Sequence, residues 1–169
     1  MAIKTMNMLY RLFSTTNNIS LFILRVSLGI VMLGHGVQKA FGWFGGFGWN
    51  NTINYFTGTV GIPAALGAFI ILIETIGALL LIAGFAGRIS AVLVGIVIIG
   101  AFFQDHLANG FYMNWFGNQR GEGFEFDILF AAMSAAIAIS GSGIFSVDRV
   151  IAKKLQRHFA TDKLNVAFS

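Results

Sequence analysis

His35, Gln38, Lys39, Glu74, Asp105, His106, Glu125 and Asp127 are polar side chains lying within or at the ends of strongly apolar runs. With Arg25, they are the groups in this sequence able to hold a polar ligand or exchange a proton. An ionisable group in a membrane-spanning helix costs roughly 2.5–3.5 kcal/mol on insertion scales, so each needs a partner, water or a function. His35 and Lys39 are four residues apart and therefore share one helical face, with Gln38 beside them. Such a face, met by carboxylates from other helices, suits hydrogen bonding to a carbonyl-bearing molecule and exchange of its proton.

Glu74 lies mid-run and is expected to be paired inside the protein. Arg25 is a structural ion-pair candidate for it, at a stretch of about one long side chain, and His35 is an equally reachable partner from above. Arg25 could instead snorkel to headgroups. Asp105, His106 and Glu125 could be ordinary helix-end residues in water. A metal or haem held by His35 and His106 would require similar depth, which they have, but no His-x-x-x-His spacing occurs and no metal site is assigned.

These residues are positioned by long apolar segments. The chain has 169 residues, 56% hydrophobic and 11% charged, against roughly 25% charged in an ordinary soluble domain. The apolar residues fall in long runs, which excludes a soluble sheet protein and predicts an all-α integral membrane four-helix bundle. The spans are expected at about 19–41, 62–85, 88–107 and 124–145, each near the twenty residues that cross a hydrocarbon core of about 30 Å. Residues 1–18 form an N-terminal interfacial segment, 19–145 the membrane domain and 146–169 a basic tail. Ile3, Met6, Leu9, Tyr10 and Phe13 recur at helical spacing around Lys4, Asn7 and Arg11, as in a helix lying on a membrane surface.

Lys4, Arg11, Arg88, Arg149, Lys153, Lys154, Arg157 and Lys163 fall on one side of this threading, and Lys39 and Arg120 on the other. The positive-inside rule then places both termini in the cytoplasm, in the inner membrane of the cell. The net charge of +4 thus reads as orientation and not as nucleic-acid binding. Two outer loops, about 42–61 and 108–123, carry aromatics suited to headgroup level. Glycines inside the spans, Gly29, Gly34, Gly36, Gly67, Gly77, Gly84, Gly95 and Gly100, are expected at helix-packing seams. Cysteine is absent, which removes disulfides, thiolate metal sites and dithiol relays.

Counting about 1.5 Å per residue from the inner end of each span brings His35, Lys39, Asp105, His106, Glu125 and Asp127 to overlapping heights in the outer half. One shared, partly hydrated site is the expectation. Leu24-Arg25-Val26 followed by Gly34-His35-Gly36-Val37-Gln38-Lys39 resembles the opening signature of the DoxX family. Glu74 with Gly77, Gly87-Arg88, the stretch from Asn109 to Trp115, Gly121 to Glu125, and Ser146-Val147-Asp148 continue the match in order. The family takes its name from similarity to the small membrane subunit of a thiosulfate:quinone oxidoreductase. The resemblance therefore implies a redox-linked membrane component, working with other membrane or redox subunits or as a homo-oligomer, with quinone as its expected small molecule and no covalently bound cofactor. Many relatives carry His just after the fourth-span Glu, where this chain has Phe126-Asp127, so a polar role there would fall to Asp127. An accessory structural subunit and a proton-coupled small-solute carrier are the alternatives.

Overall fold

The computed structural model describes the backbone of residues 2–167 and the side chains of residues 8–157. Of the residues singled out above, the side chains of Ile3, Lys4, Met6, Asn7 and Lys163 lie outside that range. The described chain is all helical: α1 (Ala2–Phe13), α2 (Ile19–Phe41), α3 (Gly48–Tyr55), α4 (Ala64–Ala83), α5 (Gly87–Gln104), α6 (Glu125–Ser140) and α7 (Val147–Ala167). Three of these, α2, α4 and α5, are long and apolar enough to cross a membrane.

α2, α4, α5 and α6 contribute to one core. Leu28 and Met32 of α2 meet Ile73, Ala78 and Leu81 of α4, Val94 and Ile98 of α5, and Ile137 of α6. The outward faces stay apolar: Ile23, Ile30, Phe69, Ile96 and Ile139 are all exposed. That distribution, apolar both inside and out, is the pattern of a helix surrounded by protein on one side and lipid on the other.

The ends of the helices follow local sequence more closely than hydropathy does. Asn18 caps α2 through its side-chain oxygen, which accepts from the Ser20 amide at 2.8 Å. α6 ends at Ser140, five residues short of the predicted 145, because Gly141-Ser142-Gly143 follows it. Gly141 (φ +86°) and Gly143 (φ +74°) hold backbone conformations that no helix accommodates. The outer loop at 42–61 contains α3, whose Thr52 hydroxyl donates to the Lys39 carbonyl at 3.3 Å. The basic tail, whose charge alone predicts no element, is helix α7, consistent with the good helix formers Ala152, Lys153, Lys154, Leu155 and Gln156.

α2 and α4 approach most closely at Gly36. A Cβ there would stand 2.5 Å from the Glu74 carbonyl oxygen and 2.7 Å from Thr75 Cγ2. Gly29, two turns earlier, meets Ile82 and the Ala78 carbonyl in the same way. Small residues let backbones come together where lipid supplies no hydrophobic drive. Facing Gly36, residues Ile73–Gly77 of α4 are wound as a π-turn, and the Thr75 hydroxyl donates back to the Ile71 carbonyl at 2.7 Å. π-turns inside α-helices are rare and recur at functional sites.

Gly34 differs from Gly36 in facing open space: nothing beyond its own helix lies within 4 Å of where a Cβ would stand. Gly36→Ala should therefore lower stability by about 1–2 kcal/mol, overpacking outweighing the gain in helix propensity. Gly34→Ala should be neutral or stabilising by up to about 1 kcal/mol. Thermal unfolding of the two purified variants in detergent compares them directly.

Candidate functional site

The contact at Gly36 sets the register of the outer end. Lys39 lies three residues beyond it, about 4.5 Å along the axis, within reach of a lysine stem. Its Nζ donates to both oxygens of Glu74, at 2.7 and 2.6 Å. The Glu74 side chain is 6% exposed and that of Lys39 29%. The carboxylate is thus held inside the protein while the ammonium retains an opening. Both charges are met by the other, which is the condition for keeping an ionised pair in an apolar setting.

A second pair joins the end of α5 to the start of α6. α5 ends at Gln104, and His106 begins a short 3-10 turn that carries its Nδ1 to 2.6 Å from Asp127 Oδ2 in the first turn of α6. Asp127 is 11% exposed and His106 26%. With Nδ1 engaged by a carboxylate, Nε2 is left as the nitrogen for exchange with a ligand or water. His35 projects from α2 with an exposed ring, within electrostatic reach of Lys39, Glu74, His106 and Asp127. The structure therefore brings together two charge pairs and a third basic group from four different helical segments.

The other sequence candidates stand around this cluster in different ways. Glu125 turns to the outer loop, where its Oε1 accepts from the Met113 amide at 3.2 Å and Trp115 Nε1 at 3.1 Å. Gln38 donates to the Phe44 carbonyl at 3.4 Å, and Asp105 is exposed at the end of α5. Glu122, next to Glu125 in the loop, accepts from the Asn114 amide at 2.8 Å. The Glu122 and Glu125 contacts fix residues 113–125 on one another, and Phe124 meets Phe102 and Phe111 edge to face. Among the described residues no three His, Asp or Glu side chains gather as a metal-holding group.

Arg25 does not pair with Glu74, and neither does His35. Arg25 lies eleven residues before Gly36, about 16 Å along α2, too far for its side chain to reach the π-turn. It is 0% exposed, so it does not snorkel to headgroups. Its Nε donates to Ser142 O at 2.8 Å, Nη1 to Leu81 O at 2.9 Å and to Ile82 O, and Nη2 to Phe145 O at 2.6 Å and Ile144 O at 3.4 Å. The fork of five N–H groups fits the carbonyls released where α4 ends and where the Gly141–Phe145 segment leaves the helix. Phe22 lies under the guanidinium, 5.0 Å from its centre.

Two residues that sequence reasoning did not assign complete this inner joint. Asp148 is buried and accepts from the Ala86 amide (2.7 Å), the Gly87 amide (2.9 Å) and the Ser142 hydroxyl (2.5 Å), closing the first turn of α5 from another helix. Arg88 donates to Ala138 O at 2.7 Å, Ile139 O at 2.5 Å and Ser14 O at 3.1 Å, binding the last turn of α6. The available signal was the two-residue turn Ala86-Gly87, whose following amides need an acceptor.

The family model described as DoxX matches residues 20–107. A relative from Bacillus subtilis (strain 168), "Putative oxidoreductase CatD", is 34% identical over 135 residues, covering 80% of this chain and 89% of the relative. No solved structure matches the chain.

Removing one member of the enclosed outer pair should cost more than removing both. Lys39→Met leaves Glu74 buried without its cation and should lower stability by about 3 kcal/mol. Glu74→Gln keeps an acceptor for Lys39 and should cost less, whereas Glu74→Leu strands the ammonium. The Lys39→Met/Glu74→Leu double variant should recover most of the loss. Thermal unfolding of the four variants in one detergent forms the cycle that checks this.

Proposed function

This chain belongs to the DoxX family of membrane proteins, and from that premise we propose that it is a subunit of a membrane redox system that receives a small lipid-soluble molecule of the quinone class at its outer end. The observation that carries the reading is the exposed His35 ring set beside the Lys39–Glu74 and His106–Asp127 pairs. A quinone carbonyl is an acceptor, and Lys39 Nζ and the imidazoles are donors suited to it. When the carbonyl is reduced its oxygen gains a proton, which His106 can deliver and recover through its paired Asp127, with His35 as a further donor beside it. The electrons come from a partner carrying a redox centre, so this chain binds, orients and protonates.

The proposed arrangement crosses the inner membrane four times with both termini in the cytoplasm. The eight-to-two partition of Lys and Arg, omitting Arg25, supports it. α6 has 16 residues, about 24 Å, which is short for a crossing. Residues 141–146 extend it, and irregular backbone at depth is tolerated where protein satisfies its polar groups, as Arg25 does for three of these carbonyls. Reporter fusions after Ser169 and within 108–123 are expected to give opposite sidedness. The same sidedness at both would refute the four-span arrangement.

An accessory subunit without ligand is the second reading, favoured by the mutual neutralisation of both outer pairs. Purification from native membranes in mild detergent, followed by solvent extraction and identification of co-purifying proteins, separates the two. The redox reading predicts quinone with a flavin- or haem-containing partner, and about tenfold less quinone from His35→Ala, equivalent to about 1.4 kcal/mol of binding. A large assembly yielding no quinone and no redox centre supports the accessory reading and overturns the first.

A further inference from the structure

At the end of the molecule opposite the polar cluster, a groove of about 430 Å³ is lined by Ala83, Phe145, Val147, Arg149, Val150 and Lys153. Ala83 is the last residue of α4, so the groove sits where a membrane-length helix ends. Arg149 and Lys153 are four residues apart on α7 and point to one side of it. Phe145, at 75% exposure, and the exposed Val147 and Val150 form its apolar part. Phe145 holds φ at +52°, a conformation costly for a bulky residue, while its carbonyl is gripped by Arg25 and its ring meets Phe22 edge to face at 5.6 Å. The fold thus keeps an aromatic ring projecting beside two cations.

We infer that this groove binds the headgroup of an anionic phospholipid, its phosphate between Arg149 and Lys153 and its acyl chains along Phe145, Val147 and Val150. Charge complementarity selects the lipid class. Among the described residues neither Arg149 nor Lys153 has a carboxylate partner, and the nearest acid in sequence, Asp148, is buried and occupied by the Ala86 and Gly87 amides and the Ser142 hydroxyl. A zwitterionic headgroup would bring a third cation toward the two already present, whereas phosphatidylglycerol brings a net negative charge. Basic clusters immediately beyond a membrane helix attract anionic lipid by about 1 kcal/mol per residue, so two side chains and an adjoining apolar surface suffice for a preference of order tenfold. The site is independent of any ligand at the outer end.

The test uses the full chain reconstituted in nanodiscs of phosphatidylcholine containing a minor fraction of phosphatidylglycerol, with lipids retained after detergent extraction counted by native mass spectrometry. The parent is expected to retain phosphatidylglycerol about tenfold over its share of the bilayer. Arg149→Gln/Lys153→Gln should reduce that enrichment to about twofold or less. Lys154→Gln, which removes an exposed charge outside the groove, should leave it within twofold of the parent, and matched unfolding midpoints verify that all three are folded. Equal retention of both lipids by the parent overturns the inference, as does an unchanged preference in the double variant. A loss as large in Lys154→Gln as in the double variant also overturns it, since diffuse charge would then account for the preference without a site.

Discussion

A charge carried into an apolar helical protein has to find its partners within the protein, because lipid offers none. Arg25 meets this constraint by taking carbonyl oxygens from the last turn of α4 and from the non-helical segment after α6. Those carbonyls are within reach of the guanidinium because α4 stops at Ala83 and because Gly141 and Gly143 unwind the chain after α6. Each deviation from regular helix would leave unsatisfied acceptors at depth, and a lone arginine would bear the cost of desolvation. Together they remove both costs and fix α2, α4 and the segment leading into α7 at one point. Asp148 and Arg88 extend the same logic, one meeting the amides that open α5 and the other the carbonyls that end α6.

The outer end meets the constraint with side chains pairing to side chains. Carbonyls are fixed acceptors, so a guanidinium held by them is a rigid joint. Lys39–Glu74 and His106–Asp127 each join two side chains that can rotate, so they are less rigid than the Arg25 joint. The exposures follow this division: Arg25 is fully enclosed, whereas one member of each outer pair is partly open. The π-turn at Ile73–Gly77 and the close approach at Gly36 place Glu74 opposite Lys39 and so determine where this less rigid end lies.

Much of the helical layout was legible because hydropathy over twenty residues is a strong signal, but residue type alone did not mark the seam glycines: Gly29 and Gly36 lie against α4, whereas Gly34 and Gly100, expected at seams as well, face open space. Pairing across helices was not legible either. Counting rise from each helix's inner end assumed level ends, but Gly36 touches Glu74, so α2 and α4 are offset along their axes. That offset removes Arg25 and brings Lys39 within reach. Glu125 illustrates a different limit: its place in the first turn of α6 suggested the cluster, yet its side chain bonds Met113 and Trp115. A loop partner some ten residues upstream leaves no trace in periodicity. The early end of α6 was readable in Gly141-Ser142-Gly143, where local backbone preference overrides an apolar average.

The separation of a fixed inner joint from a titratable outer cluster has a physical consequence for how the two ends can change. α2 carries Arg25, His35 and Lys39 on one continuous helix, and α4 carries Leu81, Ile82 and Glu74. Sliding either helix along its axis would break several guanidinium bonds at once, so translation is strongly opposed. Rotation of the Lys39 side chain, or of the His106 ring away from Asp127, breaks only one local pair. Changes at the outer end are therefore expected to stay in side chains and in the 105–124 loop, with the helical frame held by its inner carbonyls.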